Sequence, residues 1–401
     1  MFVRIAFKNL FRKPRRTLFI ALTIAIGSAA IFTFIGYNNG LASTYRTTVI
    51  RSRYGNGAIY TKNYYNEVLE KPFEKWIENW DGMKRDLMKL QPVKYFFPRV
   101  TFSSLISNGK MTFSANGEGI DPKEENKFFN SLKFISGRSL LGDAEEVIIG
   151  SGLAKALSIE VGNRINVLTN TIDGTANAVD LVVVGVFITG EEDYDNTTIK
   201  IPLGEASRLL NTKRIEFLSL GLDSYKSWTN VENFINKTYK NLQAYAFYEL
   251  DDEASNNGMK FIKTQNTIVL VVVLILVTIG IMNSVIISVH ERFSELGNLK
   301  ANGESNKDIL LLLILEGIII GALSSVIGIF LGFFINSVFL HNGIVAPPPP
   351  NLNIPLKIFL EYSSNMIFLP VIVGCISACI AIIIGFFKTT KLSIIKLLNY
   401  I

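Results

Sequence analysis

Four apolar stretches, at residues 17–37, 265–289, 309–340 and 366–387, constrain this chain of 401 residues more than any other feature. A helix rises about 1.5 Å per residue and the hydrocarbon core of a bilayer is about 30 Å thick, so about 20 apolar residues suffice to cross it. All four qualify, and with their flanks they predict transmembrane helices over 17–40, 264–289, 309–340 and 363–388. Roughly 225 residues of mixed polarity separate the first span from the second, enough for a folded domain with its own core. With 49% hydrophobic and 18% charged residues, a mixture of spans and one soluble domain fits the composition.

Charge orients the spans, because Lys and Arg in short loops stay in the cytoplasm. Residues 1–16 carry Arg4, Lys8, Arg12, Lys13, Arg15 and Arg16 and no acid, the 290–308 loop adds Arg292, Lys300 and Lys307, and Lys388, Lys391 and Lys396 follow the last span. The 41–263 domain is nearly balanced. The predicted topology is therefore a multi-pass membrane protein. Both termini, including the 389–401 tail, and the 290–308 loop lie in the cytoplasm; the 41–263 domain and the 341–362 loop are extracytoplasmic. The net charge of +6 then marks orientation and contact with anionic membrane lipids, and argues against nucleic acid as a partner. The first apolar run continues without a charge to Arg46, longer than a signal-peptide core, so an uncleaved anchor is expected. Ahead of it, Phe2, Val3, Ala6, Phe7, Leu10 and Phe11 share one helix side, opposite basic residues, and Pro14 ends the pattern. Residues 1–16 thus predict an amphipathic helix in the inner interface.

Within 41–263 the pattern is α+β. Amphipathic helices are expected at 73–90 and 228–242, and strands at 57–61, 94–102, 181–188, 198–202 and 215–222. The strand-rich middle, about 95–213, predicts an inserted β-rich subdomain. The only cysteines, Cys375 and Cys379, lie in the last span, so disulfides do not hold this domain together; they are expected to pack between helices and not to bind metal.

No catalytic constellation emerges. Gly150-Ser151-Gly152-Leu153-Ala154-Lys155 lacks the spacing of a phosphate-binding loop and predicts a tight turn capping a short helix. Glu191, Glu192, Asp193 and Asp195 predict a solvated loop between strands rather than a cation site. The chain is expected to be non-enzymatic, with no bound cofactor or metal.

The third span carries a stripe of small residues, Gly317, Gly321, Ser324, Gly328 and Gly332, which lets helix backbones approach closely in lipid, either within the chain or in a dimer. Glu316 is an intramembrane acid, with a role in coupling or a cleft, or paired with a nearby Lys or Arg. Pro347–Pro350 predict a stiff segment that braces the exported domain or merely connects spans.

Between the second and third spans, residues 291–305 alternate charges, with Gly297 and Gly303 expected at bends. Glu291 and Glu295 lie one turn apart, as do Leu296 and Lys300, so the segment can present acids and an apolar edge on adjacent faces. That suits a short helix docking into a soluble partner. The order E-R-x-x-E-L-G-x-L-K-A-x-G-x-S resembles the corresponding loop of MacB/FtsX-type ABC permeases, a family that includes the lipoprotein-releasing Lol permeases. Asn302 departs from the family's usual Leu. Gly119-Ile120-Asp121-Pro122, Ser136-Gly137-Arg138, residues 146–157 and Val161-Gly162-Asn163-Arg164-Ile165 are similar to the family's exported core domain, with Asn163 in place of the usual Asp. The resemblance covers nearly the whole chain. It implies four spans, a porter-like part with a β-rich insertion, and ATPase coupling through Glu291, Arg292, Glu295, Leu296, Gly297, Leu299, Lys300, Ala301 and Gly303. It further implies placement in the inner membrane with the large domain in the periplasm, an ATPase subunit that carries ATP and Mg, a second permease copy or paralogue, and a lipoprotein substrate. Residues 168–177 are short and lack Pro, unlike the hook that recruits a periplasmic carrier. The alternatives are MacB-like efflux of peptides or toxins, and FtsX-like signalling to a cell-wall hydrolase.

Overall fold

The computed structural model describes residues 2–68, 73–142, 144–250, 257–348, 354–390 and 397. The 389–401 tail falls mostly outside the described residues, as do Pro349 and Pro350. The chain divides into two units: one helical, Met1–Thr44, Ile262–Val345 and Lys357–Ile401; the other α/β, Tyr45–Phe261 and Ala346–Leu356.

In chain order, α1 (Phe2–Arg12) and α2 (Pro14–Val49) are followed by β1 (Gly57–Thr61), α3 (Tyr64–Glu67), α4 (Trp80–Leu87), β2 (Val93–Ser107), β3 (Thr112–Ile120) and α5 (Pro122–Phe128). Next come β4 (Lys133–Gly137), β5 (Glu146–Gly150), α6 (Ser151–Ala156), β6 (Arg164–Asn170), β7 (Ala176–Ile188), α7 (Glu192–Thr197), β8 (Thr198–Pro202) and α8 (Leu203–Leu210). The rest are β9 (Phe217–Leu222), α9 (Trp228–Thr238), β10 (Leu242–Ala246), α10 (Asn257–His290), α11 (Phe293–Ala301), α12 (Asn306–Ile335), β11 (Ile344–Ala346), β12 (Leu356–Ile358) and α13 (Phe368–Thr390).

Among the described residues, four helical stretches are long and apolar enough to cross a membrane, as the hydropathy predicts: Pro14–Tyr54, Lys260–His290, Asn306–Leu340 and Ser364–Lys388. The small residues of α12 explain how these helices pack. A Cβ on Gly321 would lie 3.0 Å from Cys375 Cα, and one on Gly328 would lie 2.8 Å from Ser28 Cβ. Gly317 faces Ile382 and Ala378, and Gly332 faces Phe32. Ser324 is buried, and Ser28 donates to Ser325 at 3.0 Å. The stripe is filled by this chain's own α2 and α13.

In the α/β unit, β2–β3–β8–β5–β7–β6 close into a ring, β6 returning to β2. Alternation along β6, with Ile165 and Val167 buried between exposed neighbours, turns one face of the ring inward, where they join Ile149, Val183 and Ile201 in the core. The other sheet runs β10–β1–β9–β2, flanked by α4 and α9. Strand β2 belongs to both, pairing with β9 over Val93–Arg99 and with β3 over Val100–Ser107.

Three sequence expectations are corrected. The helix expected at 73–90 forms only over Trp80–Leu87. Ile77 exchanges backbone hydrogen bonds with Ile215 at 2.6 and 3.1 Å, and Asn79 adopts a left-handed φ of 52°, so no helix passes through either. Gly297 lies inside α11 and not at a bend, whereas Gly303, at φ 90°, does end that helical turn. The 191–195 acids are not simply a solvated loop: Glu192 and Asp193 are exposed in α7, but Glu191 and Asp195 are buried. Asp195 accepts from Thr189 N at 2.9 Å and Gly190 N at 3.1 Å, fixing the turn into α7.

Candidate functional site

The segment joining α10 to α12 has an inner and an outer side. Phe293, Leu296 and Gly297 are buried, and Leu299 packs against the same helical core. Arg292 is buried as well. Its Nε donates to Glu295 at 3.1 Å, Nη1 donates to Glu316, and Nη2 donates to Glu316 at 3.3 Å. Asn9 of α1 donates to Glu316 at 2.7 Å, and Lys13 pairs with Glu295 at 2.9 Å. Burial pushes the Glu295 carboxyl up, but Lys13 and Arg292 outweigh it and hold the group below its usual range.

The intramembrane acid Glu316 is thus paired with an arginine and hydrogen-bonded to Asn9 of α1, and Lys13, between α1 and α2, is paired with Glu295 of α11. The apolar edge and Arg292, expected to face a partner, turn inward, because Phe293 and Leu296 find their burial within the helical unit. What remains outward is Glu291, Asn298, Ala301 and the turn at 302–307 that contains Gly303; Lys300 is half-buried. Sequence reasoning missed Asn9, Lys13 and Arg16 as members of this site. The available signal was their position in the turns either side of Pro14, where side chains can reach back to the ends of neighbouring spans.

The α/β unit holds a second cluster of buried charge where β2 changes sheets. Arg99 donates to both oxygens of Glu125, at 2.8 and 2.9 Å, and to Arg53 O at 2.6 Å. Lys200 and Tyr194 each donate to Glu118 at 2.8 Å. Glu216 accepts from Thr101 N at 2.7 Å and from the hydroxyls of Thr101 and Tyr64. Burial alone would raise the Glu118 pKa, but Lys200 and Arg99 outweigh it and bring it to about 2. Beside this cluster opens a cleft of about 1360 Å³, whose lining includes Trp76, Ser103, Leu105, Glu118, Leu168 and Asp193. Among the described residues no three His, Cys, Asp or Glu side chains are grouped as a metal site would need.

The MacB-like periplasmic core domain family matches residues 17–237, more than half of the chain, and the FtsX-like permease C-terminal family matches residues 267–399. The chain belongs to the MacB/FtsX-type ABC transporter permeases. Among relatives of this permease, a lipoprotein-releasing system transmembrane protein LolE from Haemophilus influenzae is 23% identical over 329 residues, which is 79% of this chain and 76% of the relative. A lipoprotein-releasing system transmembrane protein LolC from Neisseria meningitidis is 22% identical over 319 residues, 77% of this chain and 74% of the relative. A macrolide export ATP-binding/permease protein MacB from Acinetobacter baylyi is 24% identical over 349 residues, 82% of this chain but 51% of that protein. As a permease of this type, the chain is a multi-pass membrane protein whose large α/β unit is its extracytoplasmic domain.

Proposed function

We propose that this permease passes ATP-driven motion from a separate ATPase subunit in the cytoplasm, through α11, to its periplasmic domain, and so releases lipoproteins from the inner membrane toward the outer membrane. One observation carries the coupling: the inner side of α11 packs against the spans through Phe293 and Leu296 and reaches α12 through Arg292, while Glu291, Asn298, Ala301 and the 302–307 turn are exposed. A partner pressing on that outer side acts on the ends of α10 and α12 through these inward contacts. Two permease chains and two ATPase subunits form the complex. ATP and Mg are held by the ATPase, and this chain is the non-catalytic, energy-receiving part.

The lipoprotein cargo is supported by the LolE and LolC relatives, which match along most of both lengths. The turn between β6 and β7, closed by Thr171 N donating to Thr175 O at 2.8 Å, is short and free of Pro, which supports a role without carrier recruitment. The test is reconstitution of the full chain with its co-purifying ATPase in lipid vesicles. A triacylated lipoprotein should stimulate hydrolysis and leave the membrane, whereas its unlipidated form should do neither. Equal stimulation by both forms would remove the cargo assignment. Co-purification of an adaptor with an outer-membrane duct would indicate efflux in its place, and of a cell-wall hydrolase, signalling.

A further inference from the structure

Six polar side chains meet at one end of the helical unit: Asn9 from α1, Lys13 from the corner before α2, Arg16 from α2, Arg292 from the corner before α11, Glu295 from α11 and Glu316 from α12. Three are cations and two are carboxylates, and the carboxylates are already engaged. Glu316 accepts from Asn9 and from both terminal nitrogens of Arg292, and Glu295 accepts from Lys13 and from Arg292 Nε. Arg16 is left over. Its Nε and Nη1 are enclosed by protein and, among the described residues, meet no acceptor. A guanidinium cannot relieve this by losing its proton, and an enclosed donor without an acceptor is costly. Its electrostatic neighbours are the members of the same cluster, Arg292, Glu295 and Glu316, together with Glu291.

An enclosed unpaired donor beside two occupied acceptors is the arrangement expected if the acceptors change hands. Arg292 sits where the chain turns from α10 into α11, so a shift of α11 carries it directly. Arg16 is three residues past Lys13 on the helix that runs into the first span, so it does not travel with α11. We propose that Arg16 is the alternate partner of Glu316: when α11 is displaced and draws Arg292 away, the Arg16 guanidinium takes the carboxylate. Glu316 then never stands unpaired at membrane depth, where a lone carboxylate is disfavoured. Two arginines sharing one carboxylate give the end of α12 two defined positions relative to α2. This rests on the reading that α11 is the moving element, but the exchange itself is testable without any ATPase.

The experiment is a set of variants of the full chain in detergent or nanodiscs, followed by thermal unfolding and by the yield of folded protein. Arg292→Gln should cost little, because Arg16 takes over Glu316. Arg16→Gln should be neutral or slightly stabilising, because it removes the unpaired donor. The double variant should lose far more than the two together, since Glu316 then has no guanidinium. Adding Glu316→Gln to the double variant should restore much of the loss, a rescue that remains readable even if the double variant does not accumulate. Additive single effects, an Arg292→Gln loss as large as that of the double variant, or a triple variant no better than the double would each overturn the exchange. Failure of the coupling reading looks different: the ATPase would not co-purify with the chain while the non-additivity and rescue persist.

Discussion

Arg99, in the α/β unit, donates through all three of its nitrogens, to Glu125 and to the Arg53 carbonyl, and the neighbouring Glu118, Lys200, Tyr194 and Glu216 are each hydrogen-bonded. Arg16, in the helical unit, has two nitrogens with no acceptor among the described residues, beside a carboxylate that another arginine holds. The first cluster is closed. It pins β2 at the point where that strand leaves one sheet and enters the other, and any change of partner there would strand a charge in the core. The second has one cation more than its two carboxylates can serve, so partners can be traded at low cost. Buried ion pairs are weak evidence of stability in themselves. Whether every donor has an acceptor tells a clamp from a joint.

The largest expected effect breaks the clamp. Arg99→Ala leaves Glu125 buried without its cation and should cost about 3–5 kcal/mol, read by denaturant unfolding of the full chain. A cost near that of an ordinary surface substitution would erase the contrast between the clusters. Acid should act through the same cluster. The Glu118 carboxyl titrates near 2 when folded against a reference value of 4.5, so below about pH 4.5 the unfolded chain takes up this proton first. Its stabilising contribution, roughly 3 kcal/mol, is complete above that pH and drains away as pH falls toward 2. Glu118→Gln should flatten that acid limb, measured as stability against pH. Glu125 and Glu216 shift upward through burial, so they do not produce a loss in this window.

A smaller effect is expected where helices touch. Gly328→Leu puts a side chain against the Ala25 carbonyl and Ser28, and should cost about 1–3 kcal/mol in the helical unit, seen as a lower melting temperature in detergent. The smallest stability change belongs to the outer side of α11. Asn298→Arg should stay within about 0.5 kcal/mol of the parent, yet reduce ATPase co-purification. Retention of full ATPase binding would move the docking surface elsewhere on the chain.

Much of this was written in the sequence, but unevenly. The spans are legible because hydropathy is a local property, and β1 and β8 because a short apolar run between turn residues has few other uses. The stripe from Gly317 to Gly332 announced close helix contact, although nothing in it named α2 and α13 as the neighbours. Residues 73–79 misled because an apolar spacing compatible with a helix was satisfied by the pairing of Ile77 with Ile215, far along the chain. The coupling segment was found by its pattern, but its inward turn was not, since Leu296 and Arg292 face partners in α12 and beyond that no spacing within 291–305 encodes. Arg99 and Glu125, or Glu118 and Lys200, look like unremarkable surface charges until the fold brings them together.

Strand β2 also bears on how the α/β unit fails. Its fifteen residues run from one sheet into the other as a single strand, which ties the two halves together. The ring and the flanking sheet should therefore come apart in a single cooperative step, and a cut or insertion anywhere between Val93 and Ser107 should be felt by both.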